Sequence, residues 1–180
     1  MNTEGIKLLY EYNDWADAKI MAAVDKITDE QLDAPATATG VGYASLRNTL
    51  VHQMDATSMW RMVFTGYYTD HKTQEQWDAN ELREADYKTL QSIKDQWAKE
   101  RQQMWDFVNT LSDDKVAGTV RYVLPSGTAR ERVLWHCLYH FVNHATQHRA
   151  EAAALLTSYG QSPGDFDFTL FLNERGKLPD

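Results

Sequence analysis

Apolar and polar positions follow a helical period over most of this chain. Ile6, Leu9, Tyr10, Ala16, Ile20 and Val24, with Asn13 among them, recur at every third or fourth place. Such a stripe marks a helix that buries one face. It predicts a first helix over Thr3–Asp25, with Thr3 as its cap. Thr28-Asp29-Glu30-Gln31-Leu32 reads as a short capped helical turn, and the small, Gly- and Pro-containing stretch Ala34–Gly42 as a loop. Leu46, Leu50, Met54 and Met59 mark a second helix over Ser45–Phe64, with Ser45 at its N-cap. The polar and aromatic run Gly66–Asn80 reads as a loop across one end of the helices. Leu90, Ile93, Trp97, Met104, Phe107, Val108 and Leu111 form the inner side of a third helix, Asp86–Leu111.

The period then changes. Thr119–Leu124 and Thr128–Val133 are β-like runs separated by Pro125-Ser126-Gly127, a turn signal, and predict a small hairpin. Its second arm passes into a fourth long helix near Arg132–Tyr159, closed by Gly160. Pro163-Gly164-Asp165 makes a turn before a short terminal helix, Phe166–Glu174. Four long amphipathic helices are most simply buried together as one all-α, four-helix bundle domain over residues 1–180. The connections after helices one, two and three are long enough to cross the bundle, so an alternating up-down order is not required.

Composition narrows the function classes. The chain has 180 residues and a formal net charge of -8, which disfavours a phosphate backbone as partner. Its single cysteine, Cys137, allows no internal disulfide and fits a reducing compartment. No apolar run reaches the roughly 20 residues that span a bilayer, and Met1–Lys7 lacks the layout of a signal peptide. The expectation is a cytoplasmic protein that binds neither nucleic acid nor membrane.

The histidines carry the candidate chemistry. Of the six, His136, His140, His144 and His148 follow one another at intervals of four on the fourth helix. Each step of four advances about 400°, so neighbours drift only about 40° and can face one metal ion together. Spacing alone does not choose among His136/His140, His140/His144 and His144/His148. A helical pair supplies two ligands, and a catalytic-type site wants a third from elsewhere plus an open position. His52, set mid-helix among apolar neighbours, is the best candidate, whereas His71 lies in a polar loop.

Several segments resemble those of the DinB/YfiT-like metalloenzymes. They are Tyr12-Asn13-Asp14-Trp15-Ala16, Leu46-Arg47-Asn48-Thr49-Leu50-Val51-His52, and Val142-Asn143-His144-Ala145-Thr146-Gln147-His148-Arg149-Ala150-Glu151. Leu155-Leu156, Gly160 and Pro163-Gly164-Asp165-Phe166-Asp167-Phe168 extend the likeness over nearly the whole chain. The resemblance implies a four-helix bundle of that type with long crossover connections and non-sequential packing. It also implies a metal site made by His52, His144 and His148, holding zinc ahead of nickel, and a homodimer.

His140 then becomes a pocket or core residue, His136 a structural one, and Arg149 a partner in an ion pair. Asp55 is a candidate to steady His52 from one turn away, or else faces solvent. Trp15, Trp60 and Tyr12 are candidates to shape a substrate pocket, although such residues at helical spacing more often fill a core.

Three functions follow from the resemblance and the donor set. The first is a transferase acting through a low-molecular-weight thiol that the metal activates, since a cation lowers a thiol's pKa. The second is metal-dependent hydrolysis, for which Glu11, Asp14, Asp17 and Asp55 are acid–base candidates by location only. The third is a non-catalytic metal-binding stress-response protein. Cys137 lies between Leu134 and Leu138 on the fourth helix and reads as a core residue rather than a nucleophile.

Overall fold

A computed structural model describes residues 1–36 and 43–176. Among these residues, eight helices and one hairpin run in the order α1 (Thr3–Val24), α2 (Asp29–Asp33), α3 (Leu46–Phe64), α4 (Gln74–Asp78), a 3₁₀ turn (Glu84–Asp86), α5 (Leu90–Val108), α6 (Asp113–Ala117), β1 (Thr119–Val123), β2 (Ala129–Val133), α7 (Leu134–Ser158) and α8 (Phe168–Arg175). The four long helices are α1, α3, α5 and α7. Of the expected loop Ala34–Gly42, residues 37–42 lie outside the described residues.

Side-chain caps account for most differences from the expected boundaries. Asn2, not Thr3, caps α1, its Oδ1 accepting from the Gly5 amide at 3.0 Å. Ser45 caps α3 as expected. The stretch expected as loop contains α4, whose Thr73 and Gln76 form a reciprocal capping box. A second capping box, Thr89 with Ser92, starts α5 later than Asp86. Ser112 caps the unexpected α6. Asp167 caps α8, moving its start to Phe168. In the hairpin, Thr119 pairs with Val133 and Val123 with Ala129, and Gly127 takes a φ of 81° in the turn. The strand register holds through Val133, so α7 begins at Leu134 rather than Arg132.

Helix directions follow from which ends share a core. One apolar cluster joins Ile6 and Tyr10 of α1, Val63 and Phe64 of α3, Met104 and Val108 of α5, and Leu134 through Val142 of α7. The other joins Ile20 and Val24, Leu46 through Met54, Ile93, and Ala152 through Leu156. Thus α1 and α7 run parallel, and α3 and α5 run parallel to each other and opposite to them. Because α3 is about 28 Å long at 1.5 Å per residue, residues 65–89 must carry the chain back along the bundle before α5 can start. Asp55 secures this crossover by accepting the Leu82 amide at 2.8 Å. The packing is non-sequential: α7 lies against both α1 and α3, and α5 lies mainly against α3.

A buried polar layer separates the two apolar clusters. Arg149 is fully buried. Its Nη1 donates to Asn13 Oδ1 at 2.6 Å and Asp17 Oδ1 at 3.0 Å, and its Nη2 to Thr146 Oγ1 at 2.8 Å. Gln53 of α3 donates to the same Asp17 at 3.0 Å. On the other side of α3, Arg61 pairs with the buried Glu100 of α5 at 2.9 Å. The expected ion-pair role of Arg149 is thus met within the bundle.

Removing one partner from a buried pair leaves the other charge uncompensated, which costs roughly 3–5 kcal/mol. Arg149→Ala is therefore expected to lower the unfolding free energy by about that amount in urea titration. A loss below about 1 kcal/mol would show that the layer does not hold α1 to α7.

Candidate metal centre

His52 lies on α3, and His144 and His148 lie one turn apart on α7. The antiparallel packing of α3 on α7 brings them together. Neighbouring residues on a helix point about 100° apart, and both helices use this. Gln53 and Arg149 turn into the polar layer while His52 and His148 turn to the α3–α7 seam.

The His52 and His144 Nε2 atoms are 3.3 Å apart. One nitrogen from each of the three rings lies within 4.8 Å of the others. Imidazole nitrogens about 2.0–2.1 Å from a tetrahedral zinc ion would sit roughly 3.3 Å from each other. The donor set and the spacing of this pair therefore fit a divalent transition ion.

His148 is buried, and its Nδ1 lies 2.7 Å from Glu151 Oε2. A proton held on Nδ1 toward this carboxylate leaves the Nε2 lone pair facing the other rings, the arrangement that orients ligating histidines. Gln147 Nε2 donates to the second Glu151 oxygen at 3.3 Å. Burial pushes the His52 pKa down to about 4, with His148 and His144 adding to the shift and Glu151 opposing it. Burial likewise lowers that of His144, helped by His148 and His140. Both rings therefore keep their lone pairs available at a lower pH than a free imidazole does.

The remaining histidines separate by position. His140 is exposed, with its ring 5.9 Å from His144 and 5.2 Å from Trp60, so it borders the site and is not a core residue. His136 is exposed against Trp135, and His71 approaches the Pro125 carbonyl at 3.1 Å.

Other candidates are engaged elsewhere. Asp17 is held by Arg149, Asp14 by Arg101 at 2.7 Å, and Glu11 by Arg175 at 2.5 Å. Asp55 holds the crossover amide rather than the His52 ring. Tyr12 and Trp15 do not shape a pocket at the histidines. They clamp α8 and the chain just before it, Tyr12 donating to the Phe166 carbonyl at 3.0 Å and Trp15 to Glu174 at 2.8 Å. Cys137 is buried, and burial pushes its thiol pKa up.

Sequence reasoning gave no role to two residues at the site. Glu151 was legible in principle, because a carboxylate three residues after a helical histidine shares its face. Tyr43 stacks on His52 with ring centroids 4.3 Å apart, and no local pattern announces it.

Comparison with known proteins agrees with this architecture. The family model described as "DinB family" matches residues 1–177. Protein DinB of Bacillus subtilis (strain 168) is 27% identical over 181 residues, spanning 94% of this chain and 95% of that protein. A solved structure of YfiT from Bacillus subtilis is similar, with a TM-score of 0.56 and 22% identity over 87% of this chain and 86% of that one. It is described as a probable metal-dependent hydrolase with an unusual four-helix bundle topology. At that identity the likeness concerns the fold.

Two outcomes follow. Loss of an orienting partner typically lowers metal affinity about 10–100-fold. Glu151→Ala should do so for Zn²⁺ in chelator competition, and an unchanged Kd would remove Glu151 from the site. The second concerns acid. The unfolded chain takes up a proton at position 52 below about pH 6.5, whereas the folded metal-free protein resists until about pH 4. His52 therefore costs the fold nothing above pH 6.5 and destabilises it increasingly as pH falls toward 4. His52→Gln should gain stability relative to the wild type across that window in denaturant titrations. A constant difference would contradict the depressed pKa.

Proposed function

This chain belongs to the DinB family, and from that premise we propose that it is an enzyme using one divalent metal ion, held by His52, His144 and His148, to activate a small nucleophile. The observation that carries this reading is the convergence of three imidazoles from two helices, one of them braced by a buried carboxylate. Imidazole donors suit zinc and nickel, and zinc is assigned first. When bound, such an ion supplies Lewis acidity that lowers the pKa of water or a thiol.

The chain's own residues set the rest. His148 is fixed by Glu151, which offsets part of the ion's charge, while His52 and His144 add none. With three protein ligands, a position remains for a small molecule. The nucleophile assigned first is a low-molecular-weight thiol supplied from outside, because Cys137 is only 2% exposed and belongs to the core. Water is the second reading, favoured by the description of YfiT as a probable metal-dependent hydrolase.

The test is direct. Protein loaded with Zn²⁺ is assayed for metal content, for loss of free thiol with an electrophile, and for ester hydrolysis. One equivalent of metal and thiol consumption that vanishes in His144→Ala is the expected result. Hydrolysis without thiol consumption selects water. Stoichiometric metal with no turnover leaves a metal-binding protein without catalysis. Unchanged metal content in His52→Ala, His144→Ala and His148→Ala overturns the centre itself.

A further inference from the structure

The three histidines are not held alike. His148 has Glu151 on its Nδ1 at 2.7 Å. His52 has no such brace: its Nε2 faces His144, and among the described residues no hydrogen-bond partner meets its other nitrogen. A ligating histidine normally gives that second N–H to an acceptor that fixes its ring. Something else must set the plane of His52.

The only non-histidine ring stacked on it, among the described residues, is Tyr43. The Tyr43 and His52 centroids are 4.3 Å apart with planes 29° from parallel. The same phenol ring lies 5.6 Å from His148, inclined at 55°. One side chain thus spans the His52–His148 edge of the triangle, while His144 is flanked on the opposite side by His140. Tyr43 is 37% exposed and His148 5%, so the phenol stands between that edge and solvent. Stacked aromatic pairs attract each other beyond what their buried area gives, enough to bias the orientation of a ring.

Resting on the metal-centre reading above, we propose that Tyr43 is the positioning residue for His52. Its ring holds the imidazole plane so that Nε2 points at the ion, taking at His52 the part that Glu151 takes at His148. This role belongs to the face of the ring, so phenylalanine should replace tyrosine and a side chain without a ring should not. Tyr43 lies before the start of α3, outside the bundle's apolar clusters, so its loss should leave the fold intact.

The experiment compares wild type, Tyr43→Phe and Tyr43→Leu. Three readouts are used: thermal stability without metal, Zn²⁺ affinity, and the visible absorption of the Co²⁺-loaded protein. The NMR shift of the His52 ring proton on Cε1 in metal-free protein reports the stacking itself. Tyr43→Leu is expected to keep its metal-free Tm, weaken Zn²⁺ binding about tenfold, alter the Co²⁺ spectrum and move the His52 proton downfield as the ring current is lost. Tyr43→Phe is expected to match the wild type in all four.

Wild-type affinity and spectrum in Tyr43→Leu would overturn the proposal. So would Tyr43→Phe failing as Tyr43→Leu does, since that would assign the effect to the hydroxyl. If wild type binds neither ion, the three-histidine reading falls and takes this proposal with it, whatever the His52 shift shows.

Discussion

The guanidinium of Arg149 is the constraint on which the rest of the bundle depends. A buried charge must be paired and hydrogen-bonded, because leaving it bare costs far more than any one apolar contact returns. Arg149 meets that demand with Asn13 and Asp17 from α1 and Thr146 from its own helix. Only one axial register of α1 against α7 satisfies all of them, whereas apolar stripes alone tolerate sliding. Gln53 reaches the same Asp17 and brings α3 into that register. The site inherits this precision. Gln53 follows His52 and Arg149 follows His148 in sequence, so bonds fixing the first member of each pair fix the helix segment that presents the second.

The topology explains why so much chain lies between the long helices. Parallel neighbours cannot be joined by a tight turn. The α3–α5 pair therefore needs a connection running the length of the bundle, which α4, the 3₁₀ turn and the Asp55–Leu82 bond organise. The antiparallel α5 and α7 meet at one end of the bundle, where α6 and the hairpin join them. The amide of Val123 donates to the Tyr68 carbonyl at 2.8 Å, tying the hairpin to the chain just beyond α3. No helix among the described residues is long and apolar enough to cross a membrane, in keeping with a bundle whose mid-plane is polar.

The long helices were legible because each carries an unbroken apolar stripe. Two of the short ones, α4 and α6, were not. Helices α4 and α6 span five residues each, too few for a period to register, and only their capping residues gave a signal. The histidine register could not be settled by spacing, because all three candidate pairs share it. Packing tells them apart: His136 and His140 stay exposed, whereas His144 and His148 meet His52 on α3. The family resemblance had selected that set through residues flanking the pair, notably Asn143 and Arg149. Arg149 has a physical reason to stand there, since the residue after His148 points into the bundle. Tyr43 lay beyond sequence reasoning because its partner is brought to it by the entry into α3, not by any repeat.

The electrostatics of the centre follow from the same economy of charge. Three imidazoles crowded at a half-buried seam repel any proton they might share, and burial lowers the pKa of His52 and His144 accordingly. These two rings, when neutral, add no charge–charge repulsion to the seam, so the fold can assemble the set before an ion arrives. Among the described residues Glu151 is the carboxylate bonded to one of the three rings, and it is placed behind His148 rather than among the converging nitrogens. An ion at the seam would keep most of its charge for whatever occupies the remaining position. Glu11, Asp14 and Asp17 of α1 are committed to arginines and do not offset that charge. Orientation of the three rings, by a carboxylate, an aromatic face and helix packing respectively, then decides how it is directed.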